Sequence, residues 1–169
     1  MALRVGAHPS NTTPHLGCHL AGHFQDRLAA DVADELQART VVFESDDTAL
    51  ACCVLDLIVA GQVYLNAAKQ RAQELTGIPA GHIFISGTHT PYGPSPFTLG
   101  NVVCEEEYLQ WAMVTVGDSV KLAQNRLRPA EVASASGSCP EETHNRRWRM
   151  RDGSVRMNPG YENPDLVEP

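Results

Sequence analysis

The period of apolar residues changes along the chain, and each change predicts an element. Thr40 to Phe43 and Ala49 to Leu57 are apolar runs joined by the polar ESDDT, which predicts a hairpin. The second run, TALACCVLDL, is nearly continuous in its apolarity, as expected of a strand covered on both faces. From about Gln62 to Leu75 the period becomes helical, with Val63, Leu65, Ala68, Ala72 and Leu75 on one face and TGIP closing the segment. His82 to Ser86 predicts the next strand. Strand, helix and strand in that order imply a right-handed parallel crossover, with Ala49–Leu57 and Ile83–Ser86 side by side. Both strands then end at one edge of the sheet and carry Asp56 and His89 to it, where open α/β sheets bind ligands.

A long loop follows from Gly87 to about Cys104. A helix is predicted from about Glu105 to Arg126, with Leu109, Ala112, Val116, Val120 and Ala123 on or near one face. Val132 to Ala135 suggests a further strand. WRMRDGSVRM predicts a hairpin with a two-residue Asp152–Gly153 turn, its apolar contacts made by Trp148, Met150, Val155 and Met157. The first forty residues give a short apolar piece, the loop PSNTTPHLG and a polar stretch with Asp26, Asp31 and Asp34. The last twelve residues, NPGYENPDLVEP, show no period and read as connecting or surface chain. The fold class expected is α/β, a layered mixed β-sheet with crossover helices.

At 169 residues, 43% apolar and 20% charged, the chain suits one soluble globular domain. Its net charge of −7 argues against a nucleic-acid partner, which would require a basic stripe. Arg146, Arg147, Arg149, Arg151 and Arg156 cluster around Trp148, yet on one short hairpin. No apolar run is long enough to span a bilayer, and the opening residues turn polar too early for a signal peptide. A cytoplasmic location is expected. The five cysteines are odd in number and irregularly spaced, which predicts reduced thiols, with Cys52 and Cys53 pointing to opposite faces of a strand.

The chemical signal with most content is GTHTPYG, residues 87–93, just past the predicted strand. An imidazole at His89 can satisfy a backbone carbonyl, or it can offer a lone pair to zinc while its other nitrogen meets an acceptor. Asp56 at a buried strand end needs loop amides or a cation, or serves as a pocket carboxylate that orients a ligand. Arg146 and Arg147 either face solvent beside the acidic EET or hold an oxyanion through the guanidinium fork. His15, His19 and His23 are spaced by four, but Pro14, Gly17 and Gly22 argue against the helix that would align them. Phosphate loops, CxxC pairs, HExxH and a serine nucleophile elbow are not found in the sequence.

Taken in order, VGAHPSNTTPHLGCHLAG, DVADELQARTVVFESDDTALACCVLDL, TGIPAGHIFISGTHTPYGP, LRPAEVASASG and HNRRWRMRDGSVRMNPGYENPDLVEP resemble the N-terminal part of the neutral/alkaline non-lysosomal ceramidase family. The resemblance implies a zinc-dependent amidohydrolase that splits the amide of N-acylsphingosine. The family's loop reads Thr-His-Thr-His-Ser-Gly-Pro, and its zinc-binding first histidine falls on His89. The second histidine, beside the reaction centre, falls on Pro91, which supplies neither base nor ligand. The serine is Tyr92, while Gly93 and Pro94 are retained. Asp56 lies in the family's strand-end LDL motif, and Asn145 with Arg146 in its pocket-facing asparagine-arginine segment.

By the same resemblance, residues 1–169 form the N-terminal portion of the domain, and a further histidine, glutamate and tyrosine that bind zinc come from beyond Pro169. The expectation is therefore an incomplete domain, with His89 as metal ligand and Asp56 and Arg146 in the catalytic pocket. Zinc binding by the isolated chain should be weak or absent. The expected partner is a small-molecule amide or lipid, and self-association through the incompletely covered surface is expected. The alternative is a non-catalytic binding or structural remnant, for which Pro91 speaks.

Overall fold

A tight hairpin organises the structure. In the computed structural model, which describes residues 3–140, 145–160 and 162–168, β2 (Gln37–Ser45) and β3 (Thr48–Leu55) pair antiparallel from Ser45–Thr48 to Ala38–Leu55. Asp46 turns the chain at φ 52°, a left-handed conformation that Asp tolerates better than most residues. β1 (Arg4–Asn11) adds antiparallel to β2. Pro9 fits within β1 because the next strand along, β5 (Arg128–Pro129), pairs with Arg4 and Val5 alone, so that edge is open at Pro9.

Helix α1 (Gln62–Thr76) then carries the chain to β4 (Ile83–Gly87), which pairs parallel with β3. The helix stops at Gly77, whose φ of 76° lets its N–H reach the Gln73 carbonyl. The sheet order is β4-β3-β2-β1-β5, so the predicted mixed α/β layer and its parallel crossover are present. Helix α2 (Glu106–Gln124) begins with Glu106 and Glu107 and has Lys121 in its last turn, charges that complement the helix dipole. It packs on β1, β2 and β3, and α1 packs on α2. Gly6 makes the α2 contact possible, since a Cβ there would stand 2.1 Å from the Ala123 carbonyl oxygen. Both helices lie on one face of the sheet, over the buried Ala38, Val42, Ala51, Cys53, Leu55 and Ile83.

The chain divides into two units, Met1–Glu131 and Val132–Pro169. In the second, β6 (Arg147–Met150) lies between β7 (Val155–Met157) and β8 (Leu166–Glu168), both antiparallel to it.

No strand forms at Val132–Ala135; residues 130–139 carry no regular element, and the chain instead returns along the free edge of β1 as β5. The hairpin turn is longer than two residues. Met150 donates to the Ser154 carbonyl and Gly153, at φ 81°, donates to the Met150 carbonyl, leaving Arg151, Asp152 and Gly153 as the loop. That register sets Trp148 against Arg156, so of the four expected apolar contacts Met150 is buried, while Val155 and Met157 are 64% and 67% exposed. The apparently aperiodic end forms β8, too short for periodicity to reveal.

Candidate functional site at the strand ends

Leu55 and Gly87 end adjacent parallel strands, so the segments that follow them leave the sheet side by side. They interlock through backbone bonds: Thr88 N–H reaches the Leu55 carbonyl at 3.0 Å and His89 N–H the Leu57 carbonyl at 3.1 Å. Position 87 must be small for this, because a Cβ on Gly87 would stand 2.6 Å from the Leu57 carbonyl oxygen. Residue 89 is thereby forced to φ 64°, an unusual conformation for histidine and one that tends to mark functional positions. Its side chain is exposed, with Nδ1 2.8 Å from the Ile58 carbonyl oxygen. A carbonyl can only accept, so Nδ1 carries the proton, and in the neutral ring Nε2 then keeps its lone pair. Metal-binding histidines are commonly prepared this way.

Asp56 reaches the same edge, but its carboxylate turns toward β2. Oδ2 accepts the Gln37 N–H at 2.9 Å, and both oxygens accept from Arg39 Nη1 at 3.0 and 2.8 Å. These partners offset the cost of a largely buried charge and lock the start of β2 to the end of β3. This is the amide-capping role that the sequence left open beside the pocket role. Arg146 lies in the second unit, exposed, with its carbonyl accepting from the Asn158 N–H at 2.8 Å. The ends of the adjacent parallel strands thus bring Asp56 and His89 to one edge, and Arg146 belongs to the second unit.

The loop after His89 is held by chain from before β2, which the sequence did not connect with it. Arg27 donates from Nη2 to the carbonyls of Ala21 (2.7 Å) and Pro91 (2.9 Å), and its guanidinium lies over the Tyr92 ring at 5.3 Å. Gly22 packs directly on Pro91: a Cβ there would be 2.2 Å from the Pro91 Cβ. Ala21 N–H donates to the Gly93 carbonyl at 3.0 Å and Ser95 N–H to the His19 carbonyl at 2.8 Å. These are long-range contacts between irregular segments, which leave no periodic signal. His15, His19 and His23 do not share a helix; His19 Nδ1 instead meets Asp26 at 2.7 Å.

Between these segments lies a cleft of about 470 Å³, bordered by Thr90 and Tyr92 on the His89 loop and by Leu16, Leu20, Val32 and Leu36. A larger one of about 760 Å³ is walled by Trp111, Tyr108 and Glu105–Glu107, and neither cleft is lined by Asp56 or His89. The smaller cleft is the one that the His89 loop borders, through Thr90 and Tyr92. Among the described residues no group of three or more His, Cys, Asp or Glu side chains is placed to hold a metal ion. His89 therefore fits a zinc ligand singly, and the described residues do not make a complete site, which needs three protein ligands and an open position.

The fold resembles a neutral ceramidase from Pseudomonas aeruginosa, with a TM-score of 0.69 at 20% identity. The chain has the fold of part of a ceramidase. A second structure, a ceramidase complexed with C2, agrees at TM-score 0.67 and 20% identity. Each ceramidase comparison covers 76% of this chain and 22% of the other, so the chain spans well under half the ceramidase length. No family model matches the chain, and the comparison with curated proteins finds no match. Among the described residues no helix is long and apolar enough to cross a membrane.

Proposed function

We propose that this chain is the N-terminal portion of a ceramidase-like, zinc-dependent amidohydrolase domain acting on an amide such as that of N-acylsphingosine. One observation carries the reading. His89, where the sequence resemblance puts a zinc ligand, is held in a left-handed backbone conformation with Nδ1–H on the Ile58 carbonyl and its Nε2 lone pair uncommitted to that bond. Zinc, when bound, acts as a Lewis acid and lowers the pKa of a bound water. His89 would hold it through Nε2, and the remaining ligands would come from outside the described residues. Asp56 serves this site by fixing the strand end from which the Leu57 and Ile58 carbonyls hold His89. Arg146 carries the guanidinium fork suited to an oxyanion or carboxylate.

A non-catalytic remnant is favoured by one feature. Pro91 replaces the family's second histidine and is built into the loop by Gly22 and Arg27. Reading the gene past the codon for Pro169 separates the two. An in-frame continuation with a further histidine, glutamate and tyrosine supports the enzyme, and its product should hydrolyse N-acylsphingosine at least about 100-fold faster than its His89→Ala form. A stop codon there, or hydrolysis that His89→Ala leaves unchanged, contradicts the proposal.

A further inference from the structure

The strained backbone of His89 is tied on one side by the segment that leaves β3, and on the other by a side chain from a distant loop. At φ 64° residue 89 keeps its conformation only while the chain on both sides of it is fixed. The bonds from Thr88 and His89 to the Leu55 and Leu57 carbonyls fix the chain that enters it. The chain that leaves it passes through Thr90 to Pro91. A residue before proline is confined to extended backbone, so a rotation at residue 89 swings Pro91 with it. Pro91 is where Arg27 takes hold. Its Nη2 uses both hydrogens, on the Pro91 carbonyl at 2.9 Å and the Ala21 carbonyl at 2.7 Å, and the guanidinium covers the Tyr92 ring at 5.3 Å. The arrangement is costly for an arginine. Arg27 is half-buried, its Nε is buried without an acceptor, and among the described residues no carboxylate pairs with it. An unpaired buried donor on an uncompensated cation lowers stability, so the residue's task is geometric.

We propose that Arg27 is the positioning residue of the His89 loop. It closes the side of the loop that the strand ends leave open, so that residue 89 stays left-handed and Nδ1–H stays on the Ile58 carbonyl. It acts through the backbone of Thr90 and Pro91. Lysine can reproduce the two carbonyl bonds but not the flat stack on Tyr92, because its ammonium is a point charge. What the proposal says of zinc rests on the reading of His89 as the ligand; what it says of the tautomer does not.

The imidazole nitrogens of His89 in the isolated chain, followed by NMR at a pH where the ring is neutral, test this without metal. The expected result is protonation on Nδ1 in wild type and a shift toward Nε2 in Arg27→Met, which keeps an apolar stem and loses every donor. Arg27→Gln, too short to reach the Pro91 carbonyl, should behave alike and stands in for Arg27→Met should that variant not fold. Arg27→Lys should restore the wild-type tautomer while the Tyr92 ring resonances move, a split that a general loss of stability does not produce. Arg71→Met, which breaks the Arg71–Asp118 pair between the helices, should leave the tautomer unchanged. Added zinc should shift Nε2 in wild type, and Arg27→Met should need about tenfold more of it. A tautomer that is the same in wild type and Arg27→Met, protonation on Nε2 in wild type, or an equal disturbance by Arg71→Met would overturn the proposal. A ring that ignores zinc yet loses its tautomer in Arg27→Met overturns the zinc reading alone and supports the positioning role.

Discussion

The imidazole of His89 and the carbonyl of Ile58 are joined at 2.8 Å across the two chain segments that leave adjacent parallel strands. The bond selects the tautomer, and the backbone bond from His89 to Leu57 selects the conformation. Preparation of the ring is therefore a property of the sheet edge and is present before any metal arrives.

His89→Gly and His89→Ala should differ in stability. Both lose the bond to Ile58, which contributes about 1 kcal/mol. Glycine also relieves the strain of φ 64°, about 1 kcal/mol, whereas alanine keeps it. Urea unfolding should rank wild type close to His89→Gly, with His89→Ala lower by about 1 kcal/mol. Equal values for the two variants would show that the backbone at residue 89 is unstrained.

Gly22→Ala should be costly. The residue sits at φ 90° and its new Cβ would meet Pro91 at 2.2 Å, so strain and overpacking combine to about 3 kcal/mol. Equilibrium unfolding measures it. A loss under about 1 kcal/mol would mean that the 12–36 segment does not pack on the His89 loop as described.

Asp56→Ala removes the acceptor of the Gln37 amide and leaves that half-buried group unpaired, a cost of about 1–2 kcal/mol. Asp56→Asn retains an acceptor oxygen and loses chiefly the half-exposed pair with Arg39, about 1 kcal/mol or less. The order Ala below Asn below wild type in denaturant midpoints is the expected outcome. Indistinguishable midpoints for all three would remove the strand-locking role.

Stability should fall on the alkaline side. Burial, reinforced by the Glu105 carboxylate, pushes the Cys18 thiol up to about 11, and burial raises Cys53 and Tyr108 as well. An unfolded cysteine loses its proton near ~8.5, so above that pH the unfolded state binds fewer protons than the folded one. The contribution is complete below about pH 8.5 and is lost as pH rises toward 11. Denaturant midpoints at about pH 8, 9 and 10 should decline, and more shallowly in Cys18→Ala. An equal slope in both proteins would contradict the assignment to Cys18.

The strands and helices that pack against one another were legible because burial writes a period into them. Leu109, Val116 and Val120 of α2 are fully buried, and Ala68 and Ala72 of α1 face them. His89 was legible through its motif and its place after β4. Its partners were not, because Ile58 offers a carbonyl that every residue possesses. Arg27 and Gly22 lie in a loop whose order comes from tertiary contact alone, and their meaning emerges only when Pro91 and Tyr92 are set against them. β8 and the three-residue turn were missed for the same reason: Leu166–Glu168 is too short to carry a pattern, and Asp-Gly suits more than one turn length.

The central claim, that His89 is prepared as a single zinc ligand through Nε2, is tested most directly by following the imidazole nitrogens by NMR during a zinc titration of the isolated chain, beside metal analysis after dialysis. The account predicts that neutral His89 is protonated on Nδ1, that its Nε2 resonance moves with added zinc, and that dialysis leaves well under one zinc per chain. Protonation on Nε2, or stoichiometric zinc retained by wild type and lost in His89→Ala, would contradict it.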